Sequence, residues 1–279
     1  YRENVFKSTS ILYFVHRGIV VLYFENCGRN MGGLRSAMVL VLLCGMAVPG
    51  CITFGDEVVD MELQVSHSIL NGTVVEYYVD GQLVSLESVE LVVNFSGTES
   101  ENPLDKFGIE FESDRESIEI DAESASSIIV DFSEHGMYNI TAYAVDEDKN
   151  KVTSTDTIRI DLRIDWVEEG TNNPEIMPFN PIPNNQGIHP SYIEVISTVE
   201  NPSIFEDFGG GRSVDFTWMI TDELGDTCQS YSEQVGDGET VTWNTIHFNT
   251  YLLHDLSIEY EEGQDSISVN HSLFIIYDY

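Results

Sequence analysis

Basic residues are scarce in this chain: 12 Lys and Arg stand against 48 Asp and Glu in 279 residues, a formal net charge of −36. A nucleic-acid duplex carries one phosphate charge per roughly 1.7 Å, so a protein this acidic has no electrostatic route to it. Attachment to anionic lipid through basic patches is excluded for the same reason. Cysteine is rare too, four in all, with no CxxC and no Cys/His spacing that would announce a structural zinc site. Helical periodicity is nearly absent, and GxSxG, HExxH, Walker and GxGxxG signatures are missing. Gly209-Gly210-Gly211-Arg212-Ser213 lacks the Lys of a phosphate loop, and Asp207-Phe208-Gly209 stands apart from every other kinase element, so both read as loop glycines. Core material is plentiful, however. With 42% hydrophobic and 11% aromatic residues the chain folds rather than remaining an acidic coil.

Met31 to Cys51 has the three parts of an export signal: Arg35 as a thin basic region, the apolar run Ala37 to Val48, and small residues ending at Pro49-Gly50-Cys51. Twelve helical residues cover about 18 Å, well short of a roughly 30 Å hydrocarbon core. Val48, Gly50 and Cys51 resemble the lipobox of a microbial lipoprotein, which implies a lipid on Cys51 and anchorage to the outer face of the cell membrane. The alternative is an ordinary secretory signal with Cys51 beside the cut, or a Cys51–Cys228 bridge. Residues 1–30 read as an over-extended leader and 31–50 as the signal. Those first 50 residues hold five bases (Arg2, Lys7, Arg17, Arg29, Arg35) and two acids (Glu3, Glu25), leaving the exported part with seven bases, 46 acids and a net charge of −39. Such charge opposes compaction unless salt screens it, the Debye length falling from about 10 Å at 0.1 M to about 3 Å at 1 M. The composition is similar to that of surface proteins from salt-adapted archaea.

The exported part reads as short strands separated by turns. Met61, Leu63 and Val65 alternate with polar neighbours, and Asp80-Gly81 between Val74–Val79 and Leu83-Val84 is a two-residue hairpin signal. Many such strands predict an all-β fold of two tandem sandwiches, residues 51–165 and 166–279, the second entered through a Pro/Asn-rich segment that cannot be an interior strand. Phe132, Gly136, Tyr138, Thr141 and Val145-Asp146 resemble the closing hairpin of PKD-type immunoglobulin-like domains. The Trp-Asp-Phe-Gly-Asp-Gly run of that family is absent. The resemblance implies that Tyr138 buries its ring while its hydroxyl caps the neighbouring loop, a tyrosine corner.

No cofactor is expected apart from Ca²⁺. Asp146, Asp148 and Asn150 place oxygen ligands at alternate positions of a tight turn, which suits that ion, and Asp165, Glu168 and Glu169 offer a second acidic group. The alternative is a solvated acidic turn. Histidines 67, 135, 189, 247, 254 and 271 are scattered without ligand spacing and read as surface or turn residues. Asn71, Asn94, Asn139 and Asn270 open N-glycosylation sequons. With 46 acids, carboxylate pairs at glycosidase separation are inevitable and carry no signal. The expectation is a non-enzymatic, lipid-anchored cell-surface protein using immunoglobulin-like domains for adhesion, for glycan or protein binding, or as a spacer. The alternative is an extracellular hydrolase or its accessory binding domain.

Overall fold

A computed structural model describes residues 61–112, 115–203, 211–260 and 264–278, together with four strand residues near the N-terminus. The chain divides into two units, 1–55 and 56–279. In the first, the strands β1 (Val15–His16) and β2 (Ile19–Val20) pair antiparallel. The expected leader, signal segment and Cys51 otherwise lie outside the described residues. No helix among the described residues is long and apolar enough to cross a membrane.

The second unit is all-β and builds immunoglobulin-like sandwiches in tandem. In the first sandwich one layer is β10 (Ile118–Asp121), β9 (Leu104–Phe111), β12 (Gly136–Asp146) and the start of β13 (Lys151–Thr171). The facing layer is β11 (Ser127–Phe132), β7 (Val89–Asn94) and β4 (Ser66–His67), with β3 (Met61–Glu62) pairing β8 (Glu99–Ser100). Strict alternation puts Leu91, Val93, Ile128 and Val130 inward against Ile109, Ile140, Ile158 and Ile160. Across the layers Phe95 stacks on Phe107 at 4.8 Å and Phe132 meets Tyr138 at 4.7 Å. The Tyr138 hydroxyl donates to the Glu134 carbonyl four residues upstream, 2.9 Å away, so the ring packs while the polar end closes the corner.

In the second sandwich the rest of β13 joins β20 (Ile267–Ile276), β15 (Tyr192–Glu200) and β18 (Thr240–His247). Opposite lie β14 (Met177–Phe179), β19 (His254–Tyr260), β16 (Val214–Asp222) and β17 (Thr227–Val235). Pro178 sits in β14, at the sheet edge, where its missing N–H is tolerated. Trp218 fills the core between layers, edge-on to Phe216 and stacked 5.9 Å from Trp243.

β13 joins the halves. Its residues 151–160 pair with β12 and its residues from Leu162 onward pair with β20 along the same edge. On the opposite edge β5 (Asn71–Val79) pairs in parallel with Arg159–Val167 and so overlaps the handover. β5 returns as β6 (Gln82–Glu87) through Asp80 and Gly81, whose φ values of 47° and 70° are those of the primed hairpin turn expected from that dipeptide. The division expected after Asp165 falls in the interior of this strand. Sandwich layers lie on either side of it, but strand, sheet and core continue through: Ile158, Ile160, Leu162, Ile164 and Trp166 form one inward row.

Candidate functional site

The acidic turn between β12 and β13 brings its predicted ligands together, with Asp146 turned inward, Asn150 half-buried and Asp148 exposed. Asp146 is buried; its Oδ1 accepts from the Asn150 N–H at 2.8 Å, and its Oδ2 accepts from the Asn150 and Asn102 side-chain amides at 2.8 and 3.3 Å. Burial acts to raise this carboxyl, but the bonds from Asn150 and Asn102 outweigh it and hold it below the usual carboxylate range. Asp148 shares the Asn102 amide at 3.0 Å, and the adjacent Lys149 pairs with Asp105 at 2.7 Å. Amide donors thus occupy both oxygens of Asp146 and one of Asp148. The second acidic group does not converge, because Asp165 and Glu168 are three residues apart on a strand and face opposite ways. Asp165 accepts from Arg163 and Ser272. Glu168 accepts from the Trp166 indole at 2.9 Å and the Glu175 N–H at 3.1 Å, and burial raises its carboxyl.

Three of the sequon asparagines, Asn71, Asn139 and Asn270, are exposed, whereas Asn94 is half-buried with its Oδ1 accepting from the Ser96 N–H at 2.9 Å. Asn139 borders an open groove of about 630 Å³ lined by Phe111, Tyr138, Asn139, Thr157 and Asn185, which presents an aromatic ring beside amides and a hydroxyl. Gln186 forms part of its wall from a left-handed backbone position, φ 57°.

Among the described residues, His135, His247, His254 and His271 are buried. His135 clasps the junction of the sandwiches. Its Nε2–H donates to the Asn180 carbonyl at 3.0 Å, so its Nδ1 accepts from the Tyr277 hydroxyl at 2.8 Å, and burial lowers its pKa. His271 lies deep in the second core, with its Nδ1 2.7 Å from Ser197 Oγ. Ser197 and His271 are both fully enclosed and Trp218 donates to the same hydroxyl, so this Ser–His pair has no access for a substrate.

Cys228, His247 and His254, 19 and seven residues apart, converge at the margin of the second sandwich with their ligand atoms within 4.8 Å of one another. Cys228 is a free, half-buried thiol that burial and the neighbouring Asp222 and Asp226 carboxylates push up. Burial, then the proximity of His254, lowers the His247 pKa to about 4. No linear spacing reveals this cluster, since its members come from the start of β17, the end of β18 and the start of β19. The signal available was the alternation itself: His271 continues the inward row of Ile267, Val269, Leu273 and Ile275, and His254 that of Leu256 and Ile258.

No protein-family description matches the chain, and no curated protein matches it by sequence. Among solved structures it is similar to carbohydrate-binding modules of the β-sandwich superfamily, at 8% identity over 76% of this chain and 95% of that one, with a TM-score of 0.28. It is also similar to fibronectin(III)-like modules of Clostridium thermocellum CbhA, at 13% identity over 77% and 94%, with a TM-score of 0.25. A third is a Bacteroides uniformis beta-glucuronidase, at 9% identity over 77% of this chain and 30% of that one, with a TM-score of 0.24. Likeness at this level identifies no ligand.

Proposed function

We propose that the chain is a non-enzymatic, exported surface protein, held to the membrane by a lipid on Cys51, whose joined sandwiches act as a stiff spacer. The observation that supports this best is β13, whose 21 residues at about 3.3 Å each extend for roughly 65–70 Å through both sandwiches. A hinge needs a linker free of ladder hydrogen bonds. Here β5 pairs across the point where β12 gives way to β20, and the C-terminal strand end is tied in as well: Arg159 donates to the Tyr277 carbonyl at 3.0 Å and the Tyr277 N–H to Asp161 at 3.0 Å. Screening by salt suits the net charge of the exported part.

Small-angle scattering of the full chain in concentrated salt tests the spacer. The expected profile needs no hinge between the two sandwiches, and one that requires an ensemble of forms bent at β13 would defeat the proposal. The anchor is tested separately: Cys51→Ser should move the protein from the membrane fraction to the medium, and unchanged membrane association would reject lipidation. A second reading, a glycan in the groove beside Tyr138, is favoured by the aromatic and amide lining described above. Gln186→Gly removes a wall side chain without opposing its backbone, so it should abolish any signal on a glycan array. Retained signal would exclude that groove.

A further inference from the structure

We propose that Cys228, His247 and His254 hold one Zn²⁺ ion, with Asp222 closing the fourth position. The donor set is the first reason: a thiolate and two imidazoles suit a borderline transition-metal ion and do not suit Ca²⁺, which takes oxygen. The second is the state of the imidazoles. Both rings are buried, and His247 Nε2 and His254 Nδ1 have no hydrogen-bond partner. A buried, unsatisfied ring nitrogen is costly, and two in contact are an unusual expense for a core to carry without return. His254 is also set for ligation by its other nitrogen. Nε2 donates to the Asn249 carbonyl at 2.9 Å, which fixes the proton there and leaves Nδ1 with its lone pair directed into the cluster. The two rings meet edge to face at 4.7 Å.

Asp222 supplies the fourth side. Its Oδ1 is engaged by the N–H groups of Leu224 and Asp226 in the β16–β17 turn, while its Oδ2 lies 4.0 Å from Cys228 Sγ. Zinc bonds of about 2.0–2.3 Å imply ligand-to-ligand separations of roughly 3.3–3.8 Å in a tetrahedron, so closure of Cys228, His247 and His254 from within 4.8 Å of one another asks for a contraction of up to about 1–1.5 Å, and Asp222, outside that group, would have to swing in from the Cys228 side. The placement gives the ion a mechanical purpose. β18 is the last strand of one layer and β17 the last of the other, so a shared ion would staple the open side of the second sandwich, where Gln229 already reaches the Ile246 carbonyl at 3.0 Å and Thr245 at 2.7 Å. Binding is balanced by release of the Cys228 thiol proton to solvent, with no redox change.

The test is a Co²⁺ titration of the full chain, reduced and stripped with a chelator. The expected result is one equivalent bound with a thiolate-to-cobalt charge-transfer band and the intense visible bands of a four-coordinate site. Added Zn²⁺ should displace the cobalt and added Ca²⁺ should not. Cys228→Ser should abolish the charge-transfer band, and His247→Gln and His254→Gln should each weaken binding by more than the roughly 10- to 100-fold typical of losing an outer-shell partner. A wild-type protein with no such band would overturn the proposal. So would a band of equal strength in Cys228→Ser, which would put the metal on Cys27, Cys44 or Cys51, or a band bleached by Ca²⁺. Should a histidine variant fail to fold, the wild-type spectrum and the near-isosteric Cys228→Ser decide the matter.

Discussion

Lowering the pH from 7.5 to 5 should weaken the fold through His271 in particular. Trp218 Nε1–H can only donate, so Ser197 Oγ accepts from it at 2.6 Å and directs its own proton to His271 Nδ1 at 2.7 Å. That nitrogen must stay unprotonated, and burial of the ring lowers its pKa from 6.5 to about 3. The unfolded chain takes up a proton near pH 6.5 that the folded chain refuses, so this contribution to stability is intact above that pH and is lost progressively as the pH falls toward 3. At 1.36 kcal/mol per unit, the loss between pH 6.5 and 5 is about 2 kcal/mol, with a ceiling of about 4–5 kcal/mol near pH 3. Urea unfolding at constant high salt, on wild type and on His271→Gln, isolates this share, because Gln still offers Ser197 an acceptor and does not titrate. The wild type should lose about 2 kcal/mol more than the variant over that range. Parallel pH profiles for the two proteins, or an NMR titration of the His271 ring near 6.5, would refute the reasoning.

Tyr138→Phe removes the bond to the Glu134 carbonyl and should cost about 0.5–1.5 kcal/mol in urea unfolding while leaving the circular dichroism unchanged. Gly108→Ala should cost about 1–3 kcal/mol, since a Cβ there would clash with the Tyr143 ring, and a matching loss in melting temperature would check it. Raising NaCl from about 0.1 to 1 M should raise the melting temperature by screening the net negative charge. Ca²⁺ at matched ionic strength should add little to that, because Asp146 is already satisfied by amide donors.

The layered β architecture was legible because it rests on alternation and turn chemistry, both local. The Asp80-Gly81 hairpin and the Tyr138 corner follow from a few adjacent residues. The histidines were not, because a polar residue at an inward position is read by its chemistry before its register. His271 sits among Val269 and Leu273, and only the burial of that row marks it as core. The place of Asp165 was obscured in a related way. The Pro/Asn-rich segment was read as the entry to a second sandwich, but the alternating row from Ile158 to Trp166 lies on one continuous strand that runs past Asp165. The Cys228 cluster depends on which strand ends the topology brings side by side, and that information is held in long-range pairing.

β5 precedes most of the first sandwich in the chain, yet it lies along Arg159–Val167, beside the strand that enters the second. No single cut in the sequence therefore separates two complete sandwiches. Ending the gene after residue 165 leaves β5 beside a β13 without β20, and starting at 166 leaves β20 with only half of its pairing to β13. Unlike a string of exchangeable modules, this pair would have to be lost, duplicated or grafted as a whole.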